Sequence, residues 1–167
     1  MRTLTGSLVI LVAAFGVFCF ARAYAYGSVE ASRDTTAGWR EALVTVETAL
    51  HPIEGADDRA VGTMRQRGFA FFENGEVSSM EAWLTFERSS GVTRYQGYAV
   101  YRFEDDSTKL ARFTGDGDPR GAQSGEFELK RGTGRFEGIT GAGAFTGQGF
   151  PPHGDIYLDV TGAIVLP

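Results

Sequence analysis

The chain holds a single cysteine, Cys19, among 167 residues, so it can form no internal disulfide and cannot be a small disulfide-stapled scaffold. Histidine occurs only twice, at His51 and His153, each beside a proline. Two histidines without a third ligand at a recognised spacing do not specify a zinc site. Asp116-Gly117-Asp118 begins like a calcium loop but lacks the later oxygen ligands and closing glutamate, which leaves a solvated turn. Hence no metal or cofactor is expected. No Lys-Ser/Thr follows the glycines, as a phosphate loop requires, and no Ser-His-Asp order stands out. Positive charge is in the minority, with 16 Lys and Arg against 21 Asp and Glu. Nucleic acid is therefore excluded as a partner, because phosphate recognition relies on clustered cations.

Beyond residue 25 no apolar run approaches membrane-spanning length. Within the first 25, Arg2 precedes the apolar run Leu8 to Phe20, and Ala23-Tyr24-Ala25 offers a small-x-small cleavage site. That order predicts a signal peptide helix over residues 1–25, and a periplasmic or secreted protein. The alternative is an uncleaved N-terminal anchor, which would be the chain's only membrane contact. Cleavage would remove Cys19, Arg2 and Arg22, leaving 14 basic and 21 acidic residues, net −7. Residues 26–40 read as a flexible lead-in and residues 41–167 as one domain.

Glycine, in contrast, is plentiful, and seven of the 23 glycines crowd into Gly132 to Gly149. Helices do not tolerate that density, whereas a sharply coiled, closing sheet requires it. The segment reads as one long glycine-rich strand. Upstream, β-like runs alternate with turn signals. Glu41 to Leu50 could form a short helix, but Val44, Val46 and its threonines favour a strand. Asn74-Gly75 separates two runs as a tight hairpin turn with both residues at positive φ. Val92 to Phe103 places Tyr95, Gly97, Ala99, Tyr101 and Phe103 on one face, and Ile156 to Leu166 supplies an apolar closing strand. About eight strands joined by short turns predict an all-β fold, a single antiparallel eight-stranded closed barrel. That is the count at which a lumen is either filled or holds one small ligand.

The pattern Gly-x-Gly-x-Phe-x-Gly-x-x-Gly, Gly132 to Gly141, resembles the penultimate strand of the allene oxide cyclase and dirigent β-barrel superfamily. The resemblance spans about Glu41 to Pro167 and implies an exported bacterial barrel protein. It implies a small hydrophobic molecule in the lumen, cofactor-free cyclase or isomerase chemistry, and an acidic residue on the first strand near the barrel mouth. It also implies assembly into homo-oligomers, as plant relatives form trimers or dimers.

Glu47 is the candidate catalytic residue in that first strand, as a lumenal acid whose pKa burial would raise. The competing reading is an outward, solvated glutamate. Tyr95 and Tyr101 are candidate ligand-binding residues bordering the space left by Gly97 and Ala99, or else core-filling rings. Gln66, in register with Met64 and Gly68, and Arg112, between Leu110 and Thr114, are further candidate polar lumen residues. Their facing depends on strand register. Three functions stand: a binding barrel for a small apolar ligand, a cofactor-free cyclase or isomerase, and a structural module with a filled barrel.

Overall fold

A computed structural model describes residues 33–150 and 154–166. The expected signal helix, its cleavage site and any membrane contact made there lie outside those residues. Eight strands run β1 (Arg33–Ile53), β2 (Ala56–Phe72), β3 (Val77–Ser89), β4 (Val92–Arg102), β5 (Thr108–Gly117), β6 (Ala122–Thr133), β7 (Thr140–Phe150) and β8 (Asp155–Leu166). Each pairs antiparallel with the next, and β8 pairs back onto β1, so the all-β barrel is closed.

Closure explains why β1 begins at Arg33, inside the segment expected to be a lead-in. One strand must satisfy two neighbours. Residues 33–43 of β1 pair with β8, from Arg33 opposite Leu166 to Leu43 opposite Ile156. Its later residues extend the ladder along β2, down to Ile53 opposite Ala56. Residues 33–40 of the expected lead-in form the seam of the cylinder.

The glycine-rich segment is not one strand. Gly132 lies in the last residues of β6, which ends at Thr133, a 3₁₀ turn occupies Gly134–Phe136, and β7 starts at Thr140. Gly134 and Gly138 adopt φ of 62° and 77°, a left-handed conformation that breaks a strand and that glycine enters without a Cβ penalty. The turn drives Phe136 inward, where its ring lies 4.7 Å from that of Phe103. The Asn74-Gly75 hairpin is present, but only Gly75 has positive φ (86°). The Phe72 amide donates to the Glu76 carbonyl at 2.9 Å and the Gly75 amide to the Phe72 carbonyl at 3.0 Å. The loop therefore has three residues and ends on a left-handed glycine, rather than the two-residue form.

Phe72, Phe103 and Phe136 close the end of the barrel where the β2–β3, β4–β5 and β6–β7 turns gather. The Lys109 ammonium sits among them, 4.8, 4.9 and 4.2 Å from the three ring centroids. Among the described residues it has no hydrogen-bond or ion-pair partner, so aromatic faces supply its local electrostatic support. Arg135 lies outside this layer, over Phe103 and Phe136, and pairs with Glu76 and Asp105. Burial pushes the Lys109 ammonium down to about 8, with Glu76 opposing and Arg135 reinforcing the fall. Between about 8 and the ordinary 10.5, the unfolded chain binds a proton that the folded chain has released. Stability therefore rises with pH across that window. Urea unfolding of wild type and Lys109→Met should show the wild type gaining on the order of 2 kcal/mol relative to the variant over that interval. A flat difference would show that the ammonium is not desolvated.

Candidate functional site

Above the aromatic base the lumen is open. A cavity of about 710 Å³ runs from Glu41 and Tyr101 to a mouth formed by Arg88, Gly91, Pro119, Gly121 and Phe150. The hollow follows from side-chain size at one level of the barrel. Thr45, Gln66, Ala82, Ala99, Ala111 and Leu129 occupy consecutive registered positions across six strands, β1 to β6. The three central members are alanines, each about 1% exposed. Alanine on three adjacent strands leaves the wall thin, and these alanines are covered by the larger side chains of the same buried cluster, Phe127 and Phe145 among them. Tyr95, Phe113 and Phe145 form an aromatic cluster with centroids 6.2–6.5 Å apart, and Phe127 also lines the cavity.

The floor carries the one deep carboxyl of the lining. Trp39, Glu41 and Leu43 share the inward parity of β1, and Glu41 is 3% exposed. Opposite it on β2 stands Ala70, fully buried and small enough to leave the carboxyl room. Trp39 Nε1 donates to Glu41 Oε1 at 2.8 Å, and the Tyr101 hydroxyl donates to the same oxygen at 2.7 Å. The Trp39 ring is held by Phe72 and Phe127, at centroid distances of 5.6 and 5.3 Å, and meets Tyr101 edge-on. Burial raises the Glu41 pKa above the ordinary carboxylate range, and the Tyr101 and Trp39 hydrogen bonds partly oppose it. Burial, with Glu41 beside it, also keeps the Tyr101 phenol well above its usual value. Both shifts run toward the protonated form, as expected of an acid and a phenol taken out of water together.

Three of the five residues expected at a site meet in this lumen. Gln66 is buried on the wall, with its amide 3.4 Å from Thr45 Oγ1. Thr45 Oγ1 in turn donates to the Gly154 carbonyl at 2.8 Å. Tyr95 lines the cavity, its phenol pKa raised by burial and by Asp116, and Tyr101 lies at the floor. The structure does not bring Glu47 and Arg112 to them. Glu47 is exposed, on the outer face opposite Arg65. Thr45 pairs with Gln66 and Glu47 with Arg65, which leaves Val46 as the extra residue of a β-bulge. The bulge reverses parity, so Thr48 rather than Glu47 reaches the cavity. Arg112 is exposed beside Tyr98 and Glu128, because Ala111 and Phe113 hold the inward positions of β5.

Sequence reasoning missed Glu41 and Trp39. The signal was present as Trp39-x-Glu41-x-Leu43, an alternation that becomes legible once the strand is begun before residue 41. Neither the protein-family models nor the curated proteins compared with this chain give a match.

Proposed function

We propose that this is an exported β-barrel protein that binds a small, largely apolar molecule in its lumen. The observation that carries the reading is the open cavity of about 710 Å³, walled chiefly by aliphatic and aromatic side chains with a few polar groups. Pockets for small molecules have this size and this balance. A filled structural module is disfavoured by the same volume.

A second reading, a cofactor-free isomerase or cyclase resembling allene oxide cyclase, is favoured by one specific feature. A buried carboxyl, Glu41, touches a buried phenol, Tyr101, at the closed end of an apolar chamber. In that reading Glu41, not Glu47, is the proton donor, Tyr101 and Trp39 hold its carboxyl in place, and the surrounding wall excludes water.

Denaturing the purified protein and analysing the extract by mass spectrometry should release an apolar compound in stoichiometric amount. After removal of that compound, the neutral fluorophore N-phenyl-1-naphthylamine should bind with enhanced emission. Ala99→Phe places a ring into the hollow from the middle of the alanine row. It should weaken fluorophore binding by at least about tenfold, and the β-sheet circular dichroism signal checks that the fold survives the added volume at this buried position. An empty extract together with no fluorophore uptake would refute the binding reading.

A further inference from the structure

The floor of the cavity restricts what the bound molecule can present to it. Glu41 Oε1 accepts both the Trp39 and the Tyr101 hydrogen bonds, at 2.8 and 2.7 Å. The other carboxyl oxygen has no partner among the described residues, and the side chain lines the cavity. With Oε1 occupied by two donors, the carboxyl proton belongs on Oε2, as a donor aimed into the lumen. A ligand that offers it only hydrocarbon would leave that hydroxyl unsatisfied in a dry site, at a cost comparable to a lost hydrogen bond.

Charge at the ligand's inner end is disfavoured on both signs. Among the described residues, Arg88 is the one cationic side chain in the cavity lining, and it stands exposed at the mouth, so an anion at the floor has no counter-ion. Lys109 is enclosed among the rings of the aromatic base and does not line the cavity. An ammonium would require Glu41 to ionise in an apolar chamber, where burying the resulting ion pair costs more than burying an acid against a neutral oxygen. A neutral acceptor meets neither penalty.

We infer that the molecule held in the lumen carries an uncharged hydrogen-bond-accepting oxygen at its inner end, and that the Glu41 carboxyl donates a hydrogen bond to that oxygen. The inference rests on the binding reading above and narrows it to apolar molecules that end in an uncharged acceptor oxygen, ketones, aldehydes and esters among them.

Competition against bound N-phenyl-1-naphthylamine, with 2-nonanone, 1-nonene and nonylamine as competitors of similar size, tests it on the full chain after removal of co-purified material. The ketone should displace the fluorophore at a concentration about tenfold lower than the alkene, the ratio expected of one desolvated hydrogen bond. Glu41→Ala should bring the two to parity. Glu41→Gln, whose amide can still accept from Trp39 and Tyr101 and donate inward, should keep much of the ketone's advantage and guards against a folding defect in the alanine variant. An infrared shift of the carbonyl stretch to lower frequency in bound 2-nonanone, lost in Glu41→Ala, would support the contact independently. Equal potency of ketone and alkene in wild type would overturn this inference while leaving the binding reading intact. Preference for nonylamine would overturn it in favour of an ionised floor. Failure of the fluorophore to bind at all would overturn both readings.

Discussion

Trp39→Ala should lower the unfolding free energy by about 3–5 kcal/mol, the range for truncating a large buried aromatic. Two losses combine. The indole, 5% exposed, is wedged between Phe72 and Phe127 at 5.6 and 5.3 Å, and its removal opens a cavity that three strands must relax around. The variant also deprives Glu41 of the donor at 2.8 Å. Trp39→Phe separates the contributions, because it keeps an aromatic ring in place and deletes the N–H. It should cost about 1–3 kcal/mol. Urea unfolding followed by circular dichroism measures both. A loss for Trp39→Ala no greater than that for Trp39→Phe would show that the ring packing contributes little and that the floor is held together by its polar contacts.

Gly143→Val should leave little or no folded protein. A Cβ at Gly143 would sit 2.1 Å from the Thr161 carbonyl oxygen, 2.5 Å from the Gly162 Cα and 2.6 Å from the Phe127 ring. Two of the three obstacles are backbone of β8, directly opposite in the register, so no side-chain rotation relieves the clash. Overpacking a well-fitted interior already costs about 1–3 kcal/mol where side chains can move, and here the ladder itself must part. Gly149→Ala is the matched control in the same strand. Its Cβ would meet nothing closer than 3.4 Å, and its backbone is not in the left-handed region. That variant should fold and melt close to wild type. Equal tolerance of the two substitutions in thermal melts would contradict the close β7–β8 packing.

The architecture was legible in the sequence because it is written redundantly. Eight runs of alternating residues, short turns and a glycine-dense penultimate region each point to a coiled antiparallel sheet, and the barrel closes as that pattern implies. Tyr95, Tyr101 and Gln66 could be placed inward because β2 and β4 keep strict alternation across those positions. Glu47 could not be placed, since a bulge at Val46 depends on how two strands meet rather than on the composition of either. Glu41 escaped for a related reason. The partner of the early part of β1 is β8, more than a hundred residues away, and local sequence around residues 33–40 resembles a polar linker. Long-range pairing turned that stretch into a strand, and with it brought Trp39 and Glu41 to the floor. Arg112 shows the cost of counting from the wrong parity, since its neighbours Ala111 and Phe113 took the two inward places.

Phe72, Phe103, Phe136 and the caged ammonium give the cylinder a bottom. It is thus a cup and not a pipe. On the binding reading proposed above, a guest would enter and leave by one opening. Exchange would then be set at the rim, around Gly91 and Pro119, and discrimination at the far end, beside Glu41.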